Sequence, residues 1–117
     1  MNLGEAQREF TICVAKLIIY SYEQGFELTL GDAYRDPRAF GATGVKKGYG
    51  RSESNHKRRL AIDLNLFRDG KYLADTESHK SLGEWWEALG AEVGLPLVWG
   101  GRFSDGNHYS MDWHGHR

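Results

Sequence analysis

The first part of the chain carries a hydrophobic pattern that predicts a long helix. From Leu3 to Gln24 the apolar residues recur every three or four positions, and Gly25 follows as a stop signal. Cys13 lies within this pattern, and we interpret it as a small buried residue and not as a nucleophile. The apolar stripe consists of Phe10, Val14, Leu17, Ile18 and Tyr22.

Two later segments alternate between apolar and polar residues, as strands do. Phe26 to Tyr34 predicts a first strand, so that Arg35 follows directly at its end. Leu60 to Phe67 is the clearest strand of the chain, with its leucines and isoleucine on one face and Asp63 on the other. The Asp-Gly pair after Arg68 predicts a hairpin turn.

A second helix is predicted from about Ser78 or Ser81 to Val93, and Gly94 and Pro96 end it. Its apolar stripe is Leu82, Trp85, Trp86, Leu89 and Val93. Of the paired tryptophans, we place Trp85 in the core and leave Trp86 open between the core and a sugar-binding surface.

The remaining segments complete the predicted fold. The sequence from Gly41 to Ser54 is rich in glycine and lysine and predicts a long irregular loop. Leu97 to Trp99 predicts a short strand, and Gly100-Gly101 a turn. We therefore expect an α+β fold in which two main helices flank a small, mainly antiparallel sheet, with residues 1–117 forming one domain.

Composition and charge exclude several classes of function. Lysine and arginine number 15 against 16 acidic residues, so the net charge of −1 disfavours nucleic-acid binding. A single cysteine excludes a multi-cysteine zinc site, so a metal would need histidine and carboxylate ligands. The longest apolar stretch, Ile12 to Tyr20, is interrupted by Lys16 and is shorter than a membrane span of about 20 residues. We expect no membrane insertion and no signal peptide, and therefore synthesis in the cytoplasm.

One group of residues could form a catalytic metal site. His56 lies at the end of the glycine-rich loop and precedes Asp63 by seven positions, which suggests two ligands of an open metal site. His108 offers a third ligand, and Asp105 lies three residues before it, where a carboxylate can reach a reacting water. Two further histidines, His114 and His116, could compete as ligands, but we interpret both as surface residues of the tail. We expect His79 to be exposed.

Two motifs around these residues resemble a known family. Ser54-Asn55-His56, with Asp63 seven positions after the histidine, is similar to S-x-H-x(6)-D. Trp99-Gly100-Gly101, followed by Asp105 and His108-Tyr109, is similar to W-G-G…(D/E)-x-x-H-(F/Y). Both motifs are those of the D-alanyl-D-alanine carboxypeptidase and L-alanyl-D-glutamate endopeptidase family of zinc peptidases, whose fold is shared with hedgehog signalling domains.

The resemblance implies a role for each candidate residue. His56, Asp63 and His108 would hold one Zn²⁺ per chain, and Asp105 would be the general base and acid. Arg35 would polarise the substrate carbonyl or hold a substrate carboxylate, and Ser54 would help to bind the substrate. The glycine and lysine content of the segment from Asp36 to Ser52 departs from the family pattern, which bears on the substrate contacts of Arg35 more than on the metal site.

The resemblance also implies a substrate and a biological setting. Short members resemble bacteriophage endolysins, so we expect a monomeric L-alanyl-D-glutamate endopeptidase that cuts the peptide stems of peptidoglycan. It would be made in the cytoplasm of the host bacterium and would reach the cell wall after release by a separate factor. Arg35 and the loop residues Lys46, Lys47 and Arg51 would recognise the carboxylates of the stem.

Two alternatives remain open at this point. One is a D-alanyl-D-alanine carboxypeptidase, and the other is a zinc-stabilised binding module without catalysis. Asp105 favours an enzyme, because a binding module has no need of a base there.

Overall fold

The computed structural model describes residues 1–33 and 55–117, which contain two α-helices and five strands. The helices are α1 (Leu3–Glu23) and α2 (Lys80–Val93). The strands are β1 (Glu27–Leu30), β2 (Ala61–Arg68), β3 (Lys71–Leu73), β4 (Leu97–Trp99) and β5 (His108–Met111). Short 3₁₀ helices cover Asn55–Arg58, Thr76–His79 and Gly100–Phe103.

The five strands form one antiparallel sheet in the order β1-β2-β5-β4, and β3 pairs with β2. The turn between β2 and β3 places Asp69 at φ 51° and Gly70 at φ 75°, which is the backbone that a two-residue hairpin prefers. The central strand β2 pairs with β1, β3 and β5, so residues far apart in the sequence meet on it. The predicted α+β fold with two main helices and an antiparallel sheet is confirmed.

The helices begin and end close to the predicted residues. Asn2 and Glu5 form a reciprocal capping box at the start of α1, and Gly94 ends α2 in the left-handed conformation at φ 74°. Strand β1 is shorter than the predicted strand from Phe26 to Tyr34.

The buried faces of both helices differ from the predicted stripes. Those faces hold Ala6, Phe10, Cys13, Leu17 and Ser21 in α1 and Leu82, Gly83, Trp86, Leu89 and Gly90 in α2. Tyr22 and Val93 are exposed. Glycine lies on the buried face of α2 because neighbouring side chains leave no space there: a Cβ atom on Gly83 would lie 2.0 Å from the Trp99 ring. The prediction for Cys13 is confirmed, since its side chain is buried.

The structure reverses the preference between the paired tryptophans. Trp86 is fully buried, packs edge-on against Phe10 and Tyr109, and donates its Nε1–H to the carbonyls of Val98 and Ser110. Trp85 is only partly buried and stacks on Tyr20 at 4.3 Å between ring centroids. The helical pattern of apolar residues does not show which of two adjacent tryptophans is buried. The position of the sheet relative to the helix determines it.

Within the described residues, no helix has the length and the apolar character that crossing a membrane requires.

Candidate metal centre

Three elements bring His56, Asp63 and His108 together. His56 lies in the 3₁₀ helix before β2, Asp63 is the third residue of β2, and His108 is the first residue of β5. Asp63 and His108 are direct partners in the antiparallel register, so their side chains share one face of the sheet. One ligand atom from each of the three residues lies within 4.8 Å of the others.

The distances in this group suit a metal ion. Oδ1 of Asp63 lies 3.3 Å from Nε2 of His56 and 3.3 Å from Nδ1 of His108. In a tetrahedral zinc site with bonds of about 2.0 to 2.1 Å, neighbouring ligand atoms are about 3.3 to 3.4 Å apart. Both histidines are buried, so the residues are held in place and fit a cation by spacing and by ligand type.

The protonation of His56 supports the same interpretation. Its Nδ1 lies 3.0 Å from the carbonyl oxygen of Ala33, which can only accept a hydrogen bond, so Nδ1 carries the proton. Nε2, the other ring nitrogen, faces the Asp63 carboxylate at 3.3 Å, and a cation between the two atoms would bind both of them.

Backbone contacts hold the Ala33 carbonyl in this position. The segment after β1 continues along β2, because Gly31 N donates to the carbonyl of Asp63 and Asp63 N donates to the carbonyl of Asp32. The approach at Gly31 is close: a Cβ atom there would lie 2.9 Å from the Asp63 carbonyl oxygen.

Electrostatics keep Asp63 ionised. Burial alone would raise its pKa, but the interactions with His108 and His56 outweigh it and hold the pKa well below the usual range. The carboxylate is therefore charged at any pH at which the protein works, as a metal ligand must be. Within the described residues, Nε2 of His108 is buried without a hydrogen-bond partner.

Asp105 lies beside the group of His56, Asp63 and His108 but is not part of it. Its Oδ2 is 4.0 Å from Nδ1 of His108, which is too long for a hydrogen bond, and its side chain is 53% exposed. The backbone fixes its position, because Asp105 N donates to the carbonyl of Gly100 and His108 N donates to the carbonyl of Asp105. A carboxylate held at the solvent side of a metal site is placed to exchange protons with a water.

The structure also locates the other predicted histidines. The metal-binding group found among the described residues contains neither His114 nor His116. The prediction for His79 is wrong: it is buried, and its Nδ1 lies at hydrogen-bond distance, 2.8 Å, from the hydroxyl of Tyr109. Burial lowers the pKa of His79 to about 4.

The predicted substrate residues Arg35 and Ser54, and the predicted loop from Gly41 to Ser54 with its cations Lys46, Lys47 and Arg51, lie outside the described residues.

Two contributors to the site were missed by the sequence reasoning. The carbonyl of Ala33 belongs to the backbone, and no side-chain pattern reveals such a partner. Asn55 is buried immediately before His56, and its side chain contacts β5. Its position inside the S-x-H motif is the one signal that pointed to it.

Comparisons with known proteins agree with this geometry. A family model described as D-alanyl-D-alanine carboxypeptidase matches residues 47–111, which is more than half of the chain and contains His56, Asp63, Asp105 and His108. A search of curated protein sequences gives no match.

Among solved structures, the L-Ala D-Glu endopeptidase ChiX of Serratia marcescens is similar, with a TM-score of 0.65 over 93% of this chain and 85% of that chain. The sequence identity is 16%, so this likeness establishes the fold. Together the two findings confirm the predicted family, the fold class and a metallopeptidase that acts on peptidoglycan. The chain belongs to the D-alanyl-D-alanine carboxypeptidase family of metal-dependent peptidases.

Proposed function

We propose that the chain is a zinc-dependent endopeptidase that hydrolyses the L-alanyl-D-glutamate bond in peptidoglycan stems. The observation that carries the proposal is the pair of 3.3 Å distances joining Asp63 to His56 and His108, with Asp105 at the exposed edge. His56, Asp63 and His108 would hold the zinc. Two nitrogens and one carboxylate oxygen suit Zn²⁺ and leave a fourth position for substrate or water.

The zinc ion and the protein side chains would have different roles in hydrolysis. Zinc bound at this site would polarise the scissile carbonyl and acidify a water ligand. Asp105 would accept a proton from the attacking water and pass it to the nitrogen of the leaving amine. The Ala33 carbonyl keeps His56 in the tautomer that offers Nε2 to the metal. Arg35 and Ser54 would bind the peptide stem, and Arg35→Ala should raise KM more than it lowers kcat.

Two observations bear on which bond is cut, and they favour different candidates. The structure superposes on that of an L-Ala D-Glu endopeptidase over most of both chains, which supports endopeptidase action. The description of the family model favours the second candidate, a D-alanyl-D-alanine carboxypeptidase. Mass spectrometry of digested peptidoglycan distinguishes them: new N-terminal D-glutamate is expected, whereas release of free D-alanine would instead establish the carboxypeptidase.

Asp105→Asn separates catalysis from metal binding. The substitution keeps the size of the side chain and removes the base, so we expect one zinc per chain with hydrolysis reduced about 10²- to 10⁴-fold. Asp69→Asn is the matched control, because it removes the same charge at the exposed β2–β3 turn. Full activity of Asp105→Asn would refute the role of Asp105. Zinc binding without hydrolysis by the wild-type chain would favour the binding module.

We further propose that residues 1–117 act as one monomeric catalytic domain and serve as a phage endolysin. The resemblance to short endolysins supports this role. Cytoplasmic expression in a bacterium should leave the cells intact until a membrane pore is supplied separately, and should then lyse them. Lysis without the pore would contradict release by a separate factor, and survival with it would contradict the endolysin role.

A further inference from the structure

Asn55 precedes His56 and has a fully buried side chain with an exposed fraction of 0%. Its amide nitrogen donates two hydrogen bonds, one of 2.8 Å to the carbonyl of Met111 and one of 2.6 Å to the carbonyl of His116. Its Oδ1 is 3.4 Å from a guanidinium nitrogen of Arg58. Both amide protons are therefore used on backbone carbonyls more than 50 residues away in the sequence.

These two bonds connect the segments that carry the metal ligands. Met111 is the last residue of β5, the strand that begins at His108. The carbonyl of His116 comes within reach because Trp113 and His116 pair through two backbone hydrogen bonds and turn the end of the chain back. Asn55 thus joins the helical turn of His56 to the strand of His108 and to the C-terminal residues.

Backbone hydrogen bonds also connect this turn to β5, through Leu60. Leu60 N donates to the carbonyl of Asn55, and Met111 N donates to the carbonyl of Leu60. On the opposite side, the amide of Gln7 in α1 donates to the carbonyl of Arg58. The Asn55 amide makes the more direct connection, because it donates to Met111 of β5 from the residue next to His56.

We propose that Asn55 is a positioning residue of the metal centre, and this inference rests on the proposed function. By tying its own segment to Met111 and His116, it fixes the separation between His56 and His108. Metal ligands must be held within about 0.5 Å, so loosening this link should weaken metal binding. Outer-shell partners of metal ligands change affinity by about 10- to 100-fold when they are replaced.

The test is the zinc affinity of Asn55→Ala, measured by competition with a chelator on the purified full chain. We expect binding about 10- to 100-fold weaker than in the wild type. Ser21→Ala is the matched control. It also removes a buried side-chain donor to a backbone carbonyl, that of Leu17, and both residues lie in α1, outside the segments that carry the proposed ligands. Its zinc affinity should stay within about twofold of the wild type.

The possible outcomes are distinct. Wild-type affinity in folded Asn55→Ala would overturn the inference while the proposed function stands. An equal loss in Ser21→Ala would also overturn it, because general loosening of the fold would then be the cause. A wild-type chain that binds no zinc would overturn both this inference and the proposed function.

Asn55→Ser keeps the inference testable if Asn55→Ala does not fold. A serine hydroxyl has one proton and so retains at most one of the two hydrogen bonds. Its zinc affinity should be lower than that of the wild type, with wild-type affinity again the overturning result.

Discussion

Gly100 has no space for a side chain, which makes Gly100→Ala a sharp test of the site geometry. A Cβ atom at this position would lie 2.2 Å from the carbonyl oxygen of Asp105 and 2.7 Å from Cβ of His108. Ordinary contacts begin about 1 Å further out, so the backbone of the proposed base or of the ligand strand must move by about that amount. The 3₁₀ conformation of Gly100 is open to alanine, and the effect is therefore steric.

A displacement of about 1 Å in a catalytic group costs about 100-fold in rate. We expect kcat/KM for peptidoglycan hydrolysis by Gly100→Ala to fall by about that factor, with a loss of about 1 to 3 kcal/mol in the free energy of unfolding. Gly4→Ala is the matched control, because the nearest atoms to its Cβ would be 3.5 Å away. Hydrolysis by Gly100→Ala within twofold of the wild type would show that Asp105 and His108 are not held as described.

Two further predictions concern stability, measured by urea unfolding. The pKa of buried His79 is lowered to about 4 against 6.5 when unfolded, so stability should be greatest above pH 6.5 and should fall by about 3 kcal/mol as the pH drops to about 4. His79→Gln should remove this dependence, and an unchanged pH profile would contradict it. Trp86→Ala should cost about 3 to 5 kcal/mol and Trp85→Ala about 1 kcal/mol, because Trp86 is fully buried and Trp85 is stacked at the edge; equal losses would contradict that difference.

The strands and the helix limits could be predicted because their signals are local. The alternation around Asp63 and the Asp-Gly turn after Arg68 each determine one short segment, and the structure places both as expected. Asp105 also lies close to His108 as expected, because only two residues separate them just before β5 and His108 N donates to the Asp105 carbonyl.

The remaining features depend on contacts between distant segments. His79 has no paired carboxylate at ligand spacing, which predicted exposure, yet Tyr109 from β5 supplies a buried hydroxyl to bind it. In α2, Gly83 faces the core because the Trp99 ring occupies the space of a side chain. Such partners are 16 to 30 residues apart, and no pattern within one helix reveals them.

The central claim is that His56, Asp63 and His108 bind a zinc ion that peptidoglycan hydrolysis requires. The most direct measurement is a zinc titration of chelated, tag-free protein, with bound metal and release of stem peptides followed together. We predict that both rise in parallel and saturate at one zinc per chain. Full hydrolysis by the metal-free chain, or saturation without hydrolysis, would contradict the account.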